Sequence, residues 1–160
     1  MNGVVVVTGG GSGIGAATAA LMAKTGWRAV LVDIDPDSLT VAAEQISGAG
    51  GSVETITADV TDLAALSRIA ANVVDGIGPI GAVVTSAGII NNSQTVLDMD
   101  IDEHDRVWSI NYFGTVNTVR AFAPHMIERG RGRSSPSGPS PGWALFLSPP
   151  IRLARRQSCD

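Results

Sequence analysis

Short apolar runs alternate with helix-like stretches along the first 130 residues. Val4–Val7, Ala29–Val32 and Ala82–Thr85 are largely apolar runs, as strands buried on both faces of a sheet would be, and Val53–Thr57 is a further strand candidate. Between these runs, apolar residues recur at spacings of three and four, which is the period of a helix. Strands that alternate with helices predict an α/β fold with a parallel sheet covered on both faces.

Turn and capping residues bound the predicted helices. Gly26 ends the first helix, Asp35 and Pro36 begin the second, Thr61 or Asp62 caps the third, and a long fourth helix runs from about Ile101 to Ile127. The stripes expected to face the sheet are Ile14, Ala17 and Leu21; Leu39, Ala42, Ala43 and Ile46; Leu66, Ile69, Ala70 and Val73; and Val107, Ile110, Phe113 or Gly114, and Val116 or Asn117.

Composition divides the chain near residue 130. Residues 1–129 hold six Lys or Arg and fourteen Asp or Glu, whereas residues 130–160 hold five Arg and one Asp. The last 31 residues also contain five of the eight prolines. We therefore predict a folded domain over residues 1–130 and a Pro/Ser/Arg-rich tail over residues 131–160.

Composition also excludes several classes of protein. No stretch approaches the roughly 18 apolar residues of a membrane span, and no basic-then-apolar signal sequence opens the chain. The single cysteine, Cys159, rules out a disulfide framework and a cysteine metal cluster. His104 and His125 lie far apart, so we expect no metal site. The prediction is a cytoplasmic protein without a membrane partner.

A glycine-rich turn separates the first predicted strand from the first helix. It reads Thr8-Gly9-Gly10-Gly11-Ser12-Gly13-Ile14-Gly15. Glycines let the backbone approach a pyrophosphate, and a helix N-terminus offers free N–H groups and the positive end of the helix dipole. A flexible turn is the alternative for a lone glycine string, but the flanking strand and helix favour a nucleotide-phosphate site.

Asp33 ends the second predicted strand, 18 residues after Gly15. A carboxylate there would accept hydrogen bonds from both ribose hydroxyls of an adenosine, and it would repel a 2′-phosphate, so it favours NAD over NADP. The alternative is that Asp33 caps the next helix, although Asp35 already suits that role.

Four motifs follow in order. The glycine turn matches TGxxxGIG, Asp59-Val60 follows the third strand, Ser86-Ala87-Gly88 follows the fourth, and Asn111 lies within Ser109-Ile110-Asn111. With these motifs, residues 3–133 resemble the classical short-chain dehydrogenase/reductase family. The resemblance implies a three-layer Rossmann-like fold, here an incomplete one with the first four strands and their helices. One departure is Thr85, where the family usually has asparagine.

The resemblance also implies roles for individual residues. Asp59 and Val60 would contact the adenine, Ser86, Ala87 and Gly88 would line the cofactor site, and Asn111 would hold a water of the proton relay. The residues alone leave alternatives: Asp59 as a carboxylate at the start of the next helix, and Asn111 as an ordinary helix residue. The helix after Ile101 would help to form a homo-oligomer interface.

The family's proton-transfer residues are absent from this chain. They are a serine, and a tyrosine followed four residues later by a lysine whose charge lowers the phenol pKa. The only tyrosine is Tyr112 and the only lysine is Lys24, and these two do not have that spacing. We therefore expect a truncated family member in which Asn111 is the one remaining residue of the catalytic set.

A single missing base near codon 133 would account for the tail. If that base were put back, the shifted reading frame would allow a serine codon where the chain now has Pro139, a tyrosine codon in place of Ile151 and a lysine codon in place of Arg155. These residues would have the order, and nearly the spacing, of the family's catalytic segment. The rival is a genuine basic tail that is disordered or binds nucleic acid, but the apolar run Trp143–Leu147 argues against a solvated arm. We expect no nucleic-acid partner.

Two functions remain open from the sequence. The first is NAD(H)-dependent hydride transfer on a small alcohol or carbonyl substrate, implied by the resemblance and inactive in the chain as written. The alternative is a non-catalytic dinucleotide-binding module or interaction protein. The substrate is not readable from these residues.

Overall fold

Four strands, five α-helices and one π-helical turn form the part of the chain that the structure describes, residues 3–90, 97–98 and 100–131 of a computed structural model. The elements are β1 (Val4–Thr8), α1 (Gly13–Lys24), β2 (Arg28–Asp33), α2 (Pro36–Gly48), β3 (Ser52–Thr57), α3 (Leu63–Gly76), β4 (Ile80–Thr85), α4 (Ile101–Trp108), a π-helical turn (Ser109–Phe113) and α5 (Gly114–Arg131). Residues 132–160 lie outside the described residues, so the division near residue 130 and the account of the tail stay predictions.

The sheet is parallel throughout, with strand order β3-β2-β1-β4. Thr8 pairs with Thr85 across β1 and β4, and Asp33 pairs with Thr57 across β2 and β3. All four strands therefore end at the same edge. The expected α/β fold is confirmed, and the order reverses between β1 and β4, the position where ligands bind in such sheets.

Apolar side chains pack on both faces of the sheet. Val4 and Val6 of β1 point into a cluster with α3 and α5, whose largest member is Phe122. Val5 and Val7 point to the opposite face, against α1 and α2. Burial on both faces explains why β1, β2 and β4 are largely apolar runs, whereas β3, at the edge of the sheet, is mixed and has no buried residue. Among the described residues, no helix is long and apolar enough to cross a membrane.

The buried face of α1 differs from the predicted stripe. Ile14, Ala17 and Leu21 were expected inside, but all three are exposed, and Gly15, Ala19 and Ala23 face the sheet instead. The helix is apolar nearly all round, so hydrophobicity alone does not mark one side. The smallest residues lie inward because they let α1 approach the strands closely. The stripe prediction for this helix was wrong.

The stripes predicted for α2 and α3 agree with the structure, whereas Val107 and Ile110 of the long helix are only partly buried. Leu39, Ala42 and Ile46 of α2, and Leu66, Ala70 and Val73 of α3, are buried. Phe113, one of two alternatives for the long helix, is exposed, whereas the other, Gly114, is buried. A π-helical turn within the long helix was not anticipated.

Paired substitutions in α1 test this inward face. Ala19 is 0% exposed and Leu21 is 65% exposed. We expect Ala19→Leu to lower the free energy of unfolding by about 1–3 kcal/mol, because the added atoms must displace the strand beneath. Leu21→Ala should change it by less than about 0.5 kcal/mol. Urea denaturation measures both, and a larger loss for Leu21→Ala would contradict the orientation.

Candidate functional site

A cleft of about 760 Å³ opens at the carboxyl edge of the sheet. Its walls come from the segments that follow all four strands and from α4 with the π-helical turn. Ten of the predicted site residues line it: Gly9, Ser12, Gly13, Ile14, Asp33, Asp59, Val60, Ser86, Ala87 and Gly88. The parallel sheet thus brings together residues that lie up to 79 positions apart in the sequence.

The glycine turn packs backbone against backbone. A Cβ on Gly9 would lie 2.5 Å from the Ala87 nitrogen, and a Cβ on Gly15 would lie 2.0 Å from the Gly9 carbonyl oxygen. Gly9 also has a φ of +69°, which disfavours a side chain. Thr8, Gly11 and Gly15 do not line the cleft; they are buried behind its wall.

The start of α1 is open toward the cleft. Ser12 occupies the N-cap position in an extended conformation, and its side chain makes no capping hydrogen bond. A Cβ on Gly13 would meet nothing within 4 Å. The first turn therefore presents uncapped N–H groups and a free hydroxyl beside open space, which is the donor set that a phosphate requires.

Asp33 joins the end of β2 to the glycine turn. Its Oδ2 accepts a hydrogen bond from the Gly11 amide at 3.0 Å, and its Oδ1 accepts one from the Asp35 amide at 3.3 Å. The helix cap is Asp35, whose carboxylate accepts from the Asp37 amide. The capping alternative for Asp33 is therefore wrong, and its carboxylate faces the cleft.

Asp35 is stabilised in its charged form by this capping. Hydrogen bonds from the Ser38 hydroxyl and the Asp37 amide hold the pKa of the Asp35 carboxyl below its ordinary value. The contribution to stability is present at neutral pH and is lost as the pH falls through the lowered pKa. Asp33 is thus free of the capping role.

The segment after β3 forms another wall of the cleft. The Asp59 Oδ1 accepts a hydrogen bond from the Thr61 amide at 2.8 Å, while Asp62 caps α3 by accepting from the Ala65 amide. The alternative in which Asp59 begins the helix is therefore excluded. Val60 belongs to the buried core cluster and also lines the cleft.

Asn111 holds the segment after β4. Its Oδ1 accepts from the Ile89 amide at 2.8 Å, and its Nδ2 donates to the Ile89 carbonyl at 2.9 Å. Both ends of the side-chain amide therefore bind one backbone position, which an ordinary helix residue would not do. Its role in a proton relay stays a prediction.

Tyr112 and Lys24 lie outside the cleft. Tyr112 is half-exposed and stacks edge-on against Trp108 at 5.7 Å and Phe113 at 5.1 Å. Lys24 ends α1, away from the strands' carboxyl edge. Neither residue borders the space that the glycine turn and Asp33 enclose.

The sequence did not predict the wall of the cleft that comes from α4 and the π-helical turn. Asp105, Arg106, Ser109 and Ile110 line the cleft from α4 and the π-helical turn. No local motif marks them, because α4 and the π-helical turn precede α5 in one helical run, and it is α5 that packs against β4 and α3. In the described part of the chain, no group of three His, Cys, Asp or Glu could hold a metal ion.

Comparison with known proteins identifies the family. The short chain dehydrogenase family model matches residues 3–137. The chain belongs to this short-chain dehydrogenase/reductase family. It is 36% identical over 127 residues to 1-deoxy-11-beta-hydroxypentalenate dehydrogenase of Streptomyces avermitilis, covering 79% of this chain and 47% of that protein. It is 37% identical over 131 residues to the mitochondrial (-)-isopiperitenol/(-)-carveol dehydrogenase of Mentha piperita, covering 81% and 49%.

Solved structures of the family agree with the fold. A short-chain type dehydrogenase/reductase from Mycobacterium marinum superposes with a TM-score of 0.75 at 31% identity, covering 80% of this chain and 51% of that one. A metagenomic short-chain oxidoreductase in complex with NADP gives 0.75 at 33% identity, covering 82% and 59%. The chain spans about half the length of the curated relatives above.

Thr85 is the position at which the sequence resemblance predicts a departure from the family's asparagine. Its side chain is 6% exposed, and its hydroxyl has no hydrogen-bond partner among the described residues. The neighbouring Thr8 hydroxyl, by contrast, reaches the Val84 carbonyl at 3.5 Å. A buried hydroxyl without a partner lowers stability.

Thr85→Val should therefore be neutral or raise the free energy of unfolding by up to about 1 kcal/mol. Thr118→Val is the matched control, because the buried Thr118 hydroxyl donates to the Gly114 carbonyl at 2.8 Å. We expect the control to be the less stable of the two variants by about 0.5–1.5 kcal/mol. Calorimetric melting compares them, and the reverse order would show that Thr85 has a partner.

Proposed function

We propose that this chain is the dinucleotide-binding half of a NAD(H)-dependent oxidoreductase acting on a small alcohol or carbonyl compound. The observation that carries the proposal is the cleft at the carboxyl edge of the sheet, where the glycine turn after β1 meets Asp33 at the end of β2. Family membership supports the class of cofactor. A nicotinamide ring, when bound, supplies or accepts the hydride.

The residues present fit such a cofactor. The open N-terminus of α1, with Ser12 and Gly13, would hold the pyrophosphate. Asp33 would accept from the adenosine ribose, and the backbone at Asp59 and Val60 would border the adenine. Ser86, Ala87 and Gly88 continue the wall beyond the glycine turn.

NAD is proposed over NADP because of charge. The charged side chains on the cleft wall are Asp33, Asp59, Asp105 and Arg106, and the Asp33 carboxylate is the one tied to the glycine turn. A 2′-phosphate placed beside Asp33 would face like charge. The metagenomic relative was solved with NADP, so the family as a whole does not settle this choice.

Asp33→Asn tests cofactor choice. In the parent chain we expect NAD to bind more tightly than NADP by about 5- to 150-fold, which corresponds to roughly 1–3 kcal/mol. Asn keeps an acceptor oxygen for the Gly11 amide but loses the charge, so the preference should shrink to within about threefold. Fluorescence or calorimetric titration gives the four dissociation constants.

Asp37→Asn is the matched control. It removes one exposed carboxylate from the same region without touching the cleft wall. The control should keep the preference of the parent. Equal binding of both cofactors by the parent, or an unchanged preference in Asp33→Asn, would contradict the proposal.

We further propose that these 160 residues bind the cofactor without turning over substrate. A general acid must lie within about 3 Å of the substrate oxygen, and it contributes about 10²–10⁴-fold to the rate. Tyr112 is held in a row of aromatic rings outside the cleft, and Lys24 lies at the far end of α1. The second candidate function, after NAD(H)-dependent hydride transfer, is therefore a module that binds the dinucleotide without catalysing a reaction.

A turnover assay separates the two candidates. We expect no dehydrogenase activity from the purified chain with NAD and a panel of alcohols, followed by absorbance of NADH. Insertion of one base near codon 133, with the gene read onward, should restore activity. Turnover by the 160-residue chain that is abolished by Tyr112→Phe would overturn this proposal.

The partners and cellular setting also remain proposals. Exposed Trp108, Tyr112 and Phe113 on the helix after Ile101 support a homo-oligomer through that helix. The single cysteine in the sequence supports a cytoplasmic, reducing setting.

A further inference from the structure

One continuous helical run contacts two of the loops that form the cleft. Asn111, in the π-helical turn, binds the backbone of Ile89 after β4. Six residues later, Asn117 in α5 reaches the segment after β3, where its Nδ2 donates to the Val60 carbonyl at 3.2 Å and the Thr61 carbonyl at 3.1 Å. The strands that these loops follow, β3 and β4, are separated in the sheet by β2 and β1, and the helical run joins the two loops across that distance.

Asn117 acts on a segment that has few other attachments to the helix. The Asp59 carboxylate bonds within its own turn, to the Thr61 amide, and the Asp59 carbonyl accepts from the Asp62 amide at 3.1 Å. These bonds shape the turn but do not fix its distance from the opposite wall. The Ala58 amide ties the start of the segment to the Asp33 carbonyl at 2.8 Å, and the amide of Asn117 ties the Val60 and Thr61 carbonyls to the helix.

A second contact keeps α5 in place without Asn117. A Cβ on Gly114 would lie 2.5 Å from Val60 Cγ2, so the helix backbone already rests on the Val60 side chain. Phe122 and Ala121 anchor the same helix in the core. Substitution at Asn117 should therefore leave the helix packed and change mainly the loop.

The geometry points to Asn117 as a positioning residue that holds the Asp59–Thr61 segment, the wall of the cleft at which the adenine is proposed to bind. This inference rests on the proposed function for the identity of the ligand. Asn117 is not itself part of the cleft wall. It acts through the backbone of Val60 and Thr61, on the opposite side from the cleft.

The chemistry requires a donor at this position. Two carbonyl oxygens lie within 3.2 Å of one nitrogen, and carbonyls only accept hydrogen bonds. A carboxylate of the same shape would repel both oxygens, and an aliphatic side chain of similar size would keep the packing but leave the loop untethered. Asn117→Asp and Asn117→Leu therefore remove the tether in two different ways.

The experiment compares these variants with Asn72→Asp. Asn72 is exposed on α3, and its side chain makes no hydrogen bond among the described residues, so it receives the same chemical change without a tether to lose. Titrations of the full 160-residue chain use NAD, AMP and nicotinamide mononucleotide. They are run at a temperature where circular dichroism shows every variant to be folded, so that lost stability cannot lower the apparent affinity.

We expect the dissociation constants of NAD and AMP to rise by about tenfold in both Asn117 variants, because the one or two hydrogen bonds that position the loop are lost. Nicotinamide mononucleotide, which lacks the adenine, should bind as it does to the parent. Asn72→Asp should match the parent for all three ligands. Unchanged NAD binding in both variants, or equal losses for AMP and nicotinamide mononucleotide, would overturn the inference.

Amide hydrogen exchange tests the tether without any cofactor. The Thr61 and Asp62 amides should exchange at least about fivefold faster in both Asn117 variants, with β2 amides unchanged. If the parent binds no NAD, the proposed function fails, and exchange alone decides the positioning role. If exchange at Thr61 and Asp62 does not change, the positioning role fails whatever the chain binds.

Discussion

The whole cleft depends on two places where backbone meets backbone with no side chain between. At Gly9 the turn after β1 lies against the chain after β4, and at Gly15 the start of α1 lies against Gly9 itself. Any Cβ at either position would overlap backbone atoms, which cannot move aside as a side-chain tip can. These contacts set the direction in which α1 leaves β1. They also leave the first amides of that helix facing the cleft, which Asp33 and the segment after β3 border on one side of β1 and the segment after β4 borders on the other.

Asp33 and Asp59 each stabilise a turn and line the cleft. Asp33 accepts from the Gly11 amide and also faces the cleft, and Asp59 accepts from the Thr61 amide and also faces the cleft. Because the carboxylates are oriented by backbone donors before any ligand arrives, little ordering is left to be done on binding. It follows that alanine at either position removes a turn constraint together with a carboxylate of a cleft-lining residue. Asparagine separates the two effects, since it keeps an acceptor oxygen.

Sequence reasoning succeeded where one residue type has one physical role. Asp35 and Asp62 as caps, the glycine turn, and the doubly buried strands all follow from local chemistry, and the structure agrees. It failed on α1, because a helix rich in alanine and apolar on every side gives no amphipathic signal, and residue size rather than hydrophobicity chose the inward face. The cleft wall from Arg106 to Ile110 and the tether at Asn117 were also beyond reach. Both depend on the angle at which a distant helix crosses the sheet, which is a property of packing over some 57 positions of chain.

The π-helical turn at Ser109–Phe113 carries a consequence for how this helix tolerates insertions and deletions. Such turns contain one residue more than the surrounding α-helix needs, and an α-helix advances about 100° per residue. The wider π-helical turn absorbs that extra residue, so α4 and α5 keep nearly the relative rotation that an unbroken helix one residue shorter would have. Removing one residue from the turn would therefore restore a regular helix while α4 and α5 face as they do now. The same deletion inside α4 or α5 would instead turn the side chains on one side of it by about 100° relative to those on the other. The turn is thus the place in this helical run where a change of length by one residue least alters the directions of the flanking side chains.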